Sequence, residues 1–365
     1  MQKAFTWYLK KMKYKIFEQD TLELALKKLS KLNNKILIVI DIEENFKGIL
    51  TDGDIRRSIT LNTNLKKSIK KTYNKKPYYI LNGKVVNAKN INKDISAVPI
   101  IDKNLKFKKF IFKKKKEQKH KISRNSFLNI PVVIMAGGKG KRLKPFTNYI
   151  PKPLIPINNK TLLENIINFS VRNGLKNFFI TVNYMKSEII KFIKINNYFK
   201  YFKIINEKKP LGTAASLSFF KNKKFKNLIV INCDVLFDIK IKDILKFHFK
   251  NRSFITVVGA KKKLQINYGV LKLNSNSKDI INIDEKPSFE SYVNTGFYII
   301  NKLALENIKF NKKYDMNNLI TDTIKKGKKV SIYKINSKNW LDFGEWENFG
   351  KFEKIFSGKK WVKKY

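Results

Sequence analysis

Apolar residues along this chain fall into short blocks whose internal spacing sorts them into strands and helices. Pro131-Val-Val-Ile-Met135 is a β-branched apolar run that stops at Gly137, Gly138 and Gly140, the pattern of a buried strand ending in a tight turn. Thr161-Leu-Leu-Glu164 has the form of a capping box, and the helix it opens carries apolar residues at 162, 163, 166, 167 and 171 before Gly174 closes it. Phe178-Phe-Ile-Thr-Val182 predicts a second strand and Ser187 to Ile195 a second helix. Leu228-Ile-Val-Ile-Asn-Cys-Asp234 is apolar on both faces, which predicts a central strand. From Gly269 onward the alternation is stricter, as in an antiparallel insertion, with a strand over Ile280 to Asp284. Asp315 to Lys326 reads as a last helix ending at Gly327, and Val330 to Ile335 as a last strand. Strands alternating with helices predict an α/β domain with a mostly parallel sheet.

Upstream the pattern changes. Thr21 to Leu32, with apolar residues at 22, 24, 25, 26 and 29, predicts a helix, and Ile36-Leu-Ile-Val-Ile40 a strand. An acidic turn follows, then Gly48-Ile-Leu50 leads into Thr51-Asp-Gly-Asp-Ile-Arg-Arg57. A degraded second copy has a short helix over Lys84 to Asn92, a strand at Ala97-Val-Pro-Ile-Ile-Asp102 and another over Phe107 to Phe112. Helix, strand, turn, strand and a Thr-Asp-x-Asp step resemble the cystathionine-β-synthase (CBS) module, a small α+β unit used in tandem pairs. That resemblance implies an adenine nucleotide bound with Thr51 and Asp54 near its ribose. The second copy lacks the step, so a structural or interface role stands beside ligand binding. The aperiodic charged stretch Lys113 to Ser126 reads as a linker. The expected organisation is a tandem CBS-like regulatory module over 1–112, a charged linker over 113–128 and an α/β domain over 129–355.

Composition narrows the classes. With 78 Lys+Arg against 28 Asp+Glu the formal net charge is +50, a balance that invites nucleic acid or anionic membrane as a partner. The lysines run along the whole length among abundant Asn and Ile, which is what A/T-rich coding writes into tolerant surface positions. Neither nucleic acid nor membrane is expected as a partner. One cysteine, Cys233, cannot form an internal disulfide, and two histidines with it make a His/Cys zinc site improbable. Residues 1–17 contain no apolar signal core, and no apolar run reaches the ~18 residues of a membrane span. A cytoplasmic protein is expected.

The glycine turn carries the chemistry. Glycines bring successive N–H groups close to a ligand and can form an anion-binding nest, and Lys139, Lys141 and Arg142 add cations beside it. A phosphate chain is the expected guest. A plain strand–turn–helix with a basic surface loop is the simpler alternative. The Walker spacing is absent, and Leu143 stands where the dinucleotide fingerprint needs its third glycine. Gly137-Gly138-Lys139-Gly140-Lys141-Arg142-Leu143-Lys144-Pro145-Phe146-Thr147 followed by Pro151-Lys152-Pro153-Leu154 resembles the signature of sugar-1-phosphate nucleotidyltransferases of the mannose-1-phosphate guanylyltransferase type. The resemblance implies a Rossmann-like, mostly parallel sheet (GT-A-like). It also implies a nucleotide loop of Ala136, Gly137, Gly138 and Gly140, with Arg142 and Lys152 on the triphosphate.

Further motifs fall in the order that family uses. Ligands of open α/β sheets bind at the carboxyl ends of strands, where Asp234 sits. A triphosphate needs Mg²⁺, which takes few carboxylates, and Trp340-Leu-Asp342-Phe-Gly344 supplies the best second one. The family implies metal roles for Asp234 and Asp342; a turn-capping aspartate and a loop acid are the alternatives. The family's second motif ends in threonine where this chain has Glu345. Glu285-Lys286-Pro287, between Tyr268-Gly269-Val270 and Val293-Asn294-Thr295-Gly296, matches the family's sugar-phosphate pocket. Lys286 would hold the sugar phosphate, Glu285 the hydroxyls, and Gly269 with Asn294 the rest. Pro210-Leu-Gly-Thr-Ala214 resembles the base-and-ribose segment, with Glu207, Gly212 and Thr213 at the nucleoside, and Thr213 also reads as a helix cap.

The implied reaction is NTP plus sugar-1-phosphate to NDP-sugar and pyrophosphate. Asn183-Tyr184 and Pro210-Leu-Gly-Thr resemble guanylyltransferases, and a fused CBS pair resembles enzymes that make GDP-linked amino sugars for surface or flagellar glycans. GTP with an aminohexose-1-phosphate such as glucosamine-1-phosphate therefore ranks first. A dTTP- or UTP-dependent enzyme, or a nucleotide sensor without catalysis, are the alternatives, and a homo-oligomer is expected.

Overall fold

The structure is a computed structural model that describes residues 13–32, 34–61, 63–82, 97–112, 129–157, 160–196, 202–276, 278–344 and 346. The expected linker over 113–128, the short helix over 84–92 and Glu345 lie outside the described residues. Those described form two compact units. One holds 13–112, 140–161 and 346, and the other 129–139 and 162–344.

The first unit begins with β1 (Lys15–Phe17), α1 (Leu22–Ser30), β2 (Ile36–Ile40), β3 (Phe46–Thr51) and α2 (Asp52–Thr60). Leu22, Ala25, Leu26 and Leu29 give α1 its buried stripe, whereas Leu24 is exposed. β2 pairs parallel with β1 and antiparallel with β3. The second copy repeats this topology with β4 (Ile80–Leu81) parallel to β5 (Ala97–Ile101), and β5 antiparallel to β6 (Phe107–Phe112).

The repeat extends to register. The β2–β3 ladder shifts between Val39 and Ile40, and the β5–β6 ladder between Ile100 and Ile101. Each turn is tied by an aspartate: Asp41 Oδ1 accepts from Asn45 N at 2.8 Å, and Asp102 Oδ1 from Lys106 N at 2.8 Å. Positive φ follows at Glu44 and Leu105. The copies meet at the antiparallel bridge Asn45↔Lys106 and share one core of Ile38, Ile40, Phe46, Ile101 and Phe107. A degraded sequence repeat is thus a clear structural one, because the pairing geometry needs only the turn aspartate and the alternate apolar residues.

β7 (Val132–Met135) opens the other unit. Residues 140–161 then belong to the first, as three 3₁₀ turns and the short hairpin of β8 (Pro156–Ile157) and β9 (Lys160–Thr161). The Tyr149 hydroxyl donates to Glu23 Oε1 of α1 at 3.0 Å, and the Trp346 ring meets Phe146 edge-on at 5.6 Å.

The second unit continues with α3 (Leu162–Arg172), β10 (Phe178–Val182), α4 (Lys186–Ile195), β11 (Phe202–Asn206), β12 (Asn227–Asn232), β13 (Val235–Phe237) and α5 (Ile241–Lys250). It ends with β14 (Ile255–Gln265), β15 (Val270–Leu273), β16 (Ile280–Asp284), β17 (Ser288–Asn301), α6 (Met316–Lys325), β18 (Val330–Asn336) and β19 (Trp340–Asp342). Seven strands form the sheet β11-β10-β7-β12-β17-β14-β18. β17 runs against both its neighbours and every other pair is parallel, so the sheet is mostly parallel as expected. β10 and β12 flank β7 on opposite sides, so the strand order reverses at the strand that carries the glycine turn. That reversal opens a crevice at the carboxyl ends of the strands. The β15–β16 pair and the extended β14–β17 ladder are the expected antiparallel insertion.

Packing explains the elements. β10 is buried at every position, as its apolar run requires. One face of the sheet packs Val133, Phe179, Val230 and Ile300 against Leu217, Leu305, Met316 and Leu319. Gly174 at φ 85 ends α3 and Gly327 at φ 67 follows α6, as their C-terminal positions predict. His248 of α5 bridges two strands: its Nδ1 lies 2.8 Å from Thr256 Oγ1 and its Nε2 lies 3.2 Å from Asn227 Oδ1. Asn227 Oδ1 only accepts, so Nε2 carries the ring proton and Nδ1 accepts from the threonine hydroxyl. No helix among the described residues is long and apolar enough to cross a membrane.

Candidate active site

Four neighbouring parallel strands deliver the candidate residues of the second unit. β7 runs into Ala136 and Gly137, β10 into Asn183, β11 into Glu207 and β12 into Asp234. Each therefore sits just past a carboxyl end, where the ladder stops and the backbone can turn toward a ligand. Ala136 is buried, and its N–H donates to the carbonyl of Thr181 at 3.1 Å, holding the start of the glycine turn to β10.

The turn is crowded on one side and open on the other. A Cβ on Gly137 would lie 2.9 Å from Glu207 Oε2 and 3.5 Å from Asn183 Cβ, whereas nothing approaches Gly138 within 4 Å. Glycine at 137 is thus a packing requirement, and the open side at 138 leaves main chain accessible. Asn183 Nδ2 donates to the Glu207 carbonyl at 2.8 Å, so the β10 and β11 loops are joined. Burial pushes the Glu207 carboxyl above the usual range, while the Ser216 and Thr181 hydroxyls pull it down. A partly buried carboxyl beside the turn is suited to accept from the amine or ring N–H of a base.

The segments that carry Asp234 and Asp342 are brought together by a two-stranded ladder. β13 pairs antiparallel with β19, Val235 opposite Asp342, and Phe343 N donates to the Asp234 carbonyl at 2.8 Å. Asp342 Oδ1 accepts from Gly344 N at 2.8 Å, which orients its carboxylate. The two motifs are more than a hundred residues apart in the chain and adjacent in the fold. Among the described residues no cluster of three or more His, Cys, Asp or Glu side chains could hold a metal. A pair of partly buried carboxylates fits Mg²⁺, which keeps waters and takes its remaining ligands from substrate phosphates.

Beside Asp234 the structure adds a residue the motifs do not show. The Tyr298 phenol is pushed up to about 12, first by burial and then by the Asp234 charge, while a hydrogen bond with Asn294 acts the other way. Asn294 and Tyr298 therefore lie close together, within electrostatic reach of Asp234. Even spacing along β17 puts residues 294 and 298 on one face and was a usable signal. Asn294 Oδ1 also accepts from Gly296 N at 3.0 Å. Gly296 at φ 78 leaves Asn232 room at the end of β12, since a Cβ there would stand 2.6 Å from Asn232 Nδ2.

Glu285 and Lys286 occupy the turn between β16 and β17. Both are exposed and stand 3.7 Å apart, with Lys286 at φ 47. Glu285 lies over Gly269, where a Cβ would come within 3.0 Å of its Oε2. The segments at 269 and 285 are thus in contact.

The Pro210–Ala214 turn departs from the expected helix start. A 3₁₀ helix begins at Ala215 with Ala214 before it, and Thr213 caps something else. Its hydroxyl accepts from Met316 N, the first residue of α6, at 2.8 Å. A helix N-terminus with unsatisfied N–H groups competes successfully for that oxygen.

Gly140, Arg142 and Lys152 belong to the first unit. Gly140 is left-handed at φ 60, and its carbonyl accepts from Thr147 Oγ1 at 3.0 Å. A Cβ there would meet Thr147 Cγ2 at 2.9 Å and Lys152 Cβ at 3.4 Å, so the third glycine lets the loop close on itself. Arg142 is exposed and Lys152 buried. Thr51 and Asp54 form a capping box for α2: Asp54 Oδ2 accepts from Thr51 N at 2.8 Å and Thr51 Oγ1 at 2.7 Å. Arg57 pairs with the other oxygen of Asp54.

Residues 131–356 match the family described as Nucleotidyl transferase. Bifunctional protein GlmU of Methanococcus maripaludis strain S2 is 33% identical over 201 residues, 53% of this chain and 46% of that protein. Mannose-1-phosphate guanyltransferase beta-A of Xenopus laevis is 28% identical over 225 residues, 60% of this chain and 62% of that protein. The chain thus spans about half to three fifths of the length of these relatives. A Bacillus anthracis structure assigned provisionally as a glucose-1-phosphate thymidylyltransferase, in complex with sucrose, superposes with a TM-score of 0.50 at 18% identity. It covers 63% of this chain and 96% of its own, a likeness of fold.

Proposed function

The chain belongs to the nucleotidyl transferase family, and from that premise we propose that it condenses a sugar-1-phosphate with an NTP to give an NDP-sugar and pyrophosphate. The observation that supports this reading is the pairing of the Asp234 segment with the Asp342 segment one strand from the glycine turn, β12 lying parallel to β7 with Asn232 opposite Met135.

In the reaction a phosphate oxygen of the sugar-1-phosphate attacks the α-phosphorus in line. The bond from that phosphorus to the bridging oxygen of the β-phosphate breaks, and pyrophosphate carries the electron pair away. The attacking oxygen is already anionic, so no general base is required, which suits a site without a histidine. Asp234 and Asp342 would hold Mg²⁺, which when bound neutralises triphosphate charge. Main-chain N–H groups at Gly137 and Gly138 cradle phosphate oxygens, and Arg142 and Lys152 counter the triphosphate charge. Lys286 holds the sugar phosphate, Glu285 the hydroxyls, and Asn294, turned by Gly296 and Tyr298, the sugar ring.

GTP ranks first among nucleotides and an aminohexose-1-phosphate first among sugars, on the resemblance of Asn183-Tyr184 and Pro210-Leu-Gly-Thr to guanylyltransferases. The N-terminal repeat is read as a tandem CBS-like module, with Thr51 and Asp54 at an adenine nucleotide and a homo-oligomer as the assembled form. Pyrophosphate release measured for four NTPs against several sugar-1-phosphates tests the reading. GTP-dependent release with one sugar phosphate is the expected result. Release with dTTP or UTP alone would replace the base assignment, and none with any pair would overturn the activity.

A further inference from the structure

The turn at 210–214 is clamped by a segment a hundred residues downstream. Tyr314 N donates to the Leu211 carbonyl at 2.7 Å, and Ala214 N donates to the Tyr314 carbonyl at 3.0 Å. Thr213 N donates to Asp315 Oδ1 at 2.9 Å, while Met316 N donates to Thr213 Oγ1 at 2.8 Å. Four hydrogen bonds therefore hold the turn at Leu211, Thr213 and Ala214. Gly212 at φ 93 makes the approach feasible: a Cβ there would lie 2.6 Å from Asp315 Oδ1 and 2.8 Å from the Tyr314 carbonyl.

The clamp is itself anchored. The Tyr314 hydroxyl donates to Asp322 Oδ2 on α6 at 2.5 Å, and Asn318 Oδ1 accepts from Asp315 N at 3.3 Å. Met316 and Leu319 of α6 are buried in the core against the sheet. The turn thus inherits the rigidity of a packed helix, although it is itself partly to fully exposed at Leu211, Gly212 and Thr213.

We propose that Asp315 is a positioning residue of the nucleotide site, holding the 210–214 turn in the shape that receives the nucleobase. This rests on the nucleotidyltransferase reading above. The turn begins three residues after Glu207, whose carboxyl lies against Gly137, so its place beside the phosphate loop is fixed by the chain. Thr213 spends its N–H and hydroxyl on the clamp. Among the described residues the main-chain groups of the turn that make no hydrogen bond within the fold are the N–H groups of Leu211 and Gly212 and the carbonyls of Pro210, Gly212 and Thr213. A base edge carrying both donors and acceptors can pair with such main chain, and its register depends on the clamp, in which the Thr213 side chain acts through Met316 N rather than on the base.

The test is calorimetric titration of the full-length protein with GTP and the other NTPs in Mg²⁺, alongside steady-state kinetics and thermal melting. Asp315→Ala is expected to weaken binding of the preferred NTP about tenfold, the scale of one charge-assisted hydrogen bond, with discrimination between bases reduced. The KM for sugar-1-phosphate should stay within about twofold, because that substrate never meets the turn. Asp315→Asn keeps the Oδ1 acceptor and should restore affinity. Thr213→Val removes the acceptor for Met316 N and should weaken NTP in the same selective way, which serves if Asp315→Ala does not fold. Unchanged NTP affinity in a folded Asp315→Ala protein overturns the proposal, as does equal weakening of both substrates. A wild-type protein that binds NTP with the predicted Asp315 dependence yet releases no pyrophosphate would remove the activity and leave this inference standing. One that binds no NTP would remove both.

Discussion

At the scale of single residues, the proposed chemistry depends most on Asp234. Its carbonyl accepts from Phe343 N, so the pairing of β13 with β19 at this point is made by main chain, which an Asn side chain leaves in place. Asp234→Asn should therefore fold with an unchanged melting temperature and lose about 10²-fold or more in kcat, since the charge that helps hold Mg²⁺ is gone. Near-normal pyrophosphate release by the variant would refute the metal role. Lys286 offers a cleaner separation. It is exposed on a turn and paired only loosely with Glu285, so Lys286→Ala should leave stability untouched. The sugar-1-phosphate KM should rise about tenfold or more while NTP binding holds. Equal loss of both affinities would move this lysine to the nucleotide.

At the scale of elements, α5 is fastened to the sheet through one histidine. Burial depresses the His248 imidazole to about 4. An unfolded histidine titrates near 6.5, so below that pH the unfolded chain takes up a proton that the native state refuses until about pH 4. The stability held by neutral His248 is complete above about pH 6.5 and is lost as pH falls toward 4, by up to about 3 kcal/mol. Urea midpoints measured from pH 7 to 4.5 should fall more steeply for wild type than for His248→Gln, and parallel curves would exclude the histidine as a cause. The glycine turn shows the complementary case, where an element needs an absent side chain. Gly140→Ala must fit a methyl against Thr147 and Lys152 at a left-handed φ, so it should lower NTP affinity even though no ligand-contacting side chain is removed.

At the scale of the whole molecule, the N-terminal repeat and the α/β domain pose a question of dependence. Every family motif lies at or after Pro131, and a fragment beginning near Ser126 is expected to fold and release pyrophosphate. Tyr149 makes this a sharp test, because its hydroxyl donates to Glu23 two residues ahead of the Pro151-Lys152-Pro153 motif. A folded but inactive fragment would mean that residues 140–161 need the module to hold them. For ligand sensing, AMP or ATP should raise the melting temperature of the full chain and not that of the fragment. Asp54 already accepts from both groups of Thr51 and pairs with Arg57, so no shift up to millimolar nucleotide would leave these residues as a helix cap alone.

The sequence by itself determined the main elements and singled out the candidate residues of the loops. Apolar spacing follows directly from the geometry of helix and strand, so β10, β12 and the helices α3 and α6 with their terminal glycines were readable from one dimension. Residue types at fixed intervals likewise singled out the glycine turn, Asp234, Glu285-Lys286 and Asp342 as candidates, on the resemblance of their order to nucleotidyltransferase motifs. What only the tertiary structure decided is which distant segments meet. The β13–β19 ladder sets the Asp342 segment beside the Asp234 segment, β17 brings Asn294 and Tyr298 to the end of β12, and Asp315 reaches Thr213. The Thr213 hydroxyl went to α6 instead of its own helix because a nearby helix N-terminus offers free N–H groups that no local pattern reveals. Pairing between residues a hundred positions apart depends on the register of strands and the packing of a helix against a sheet, and neither leaves a periodic mark on the chain.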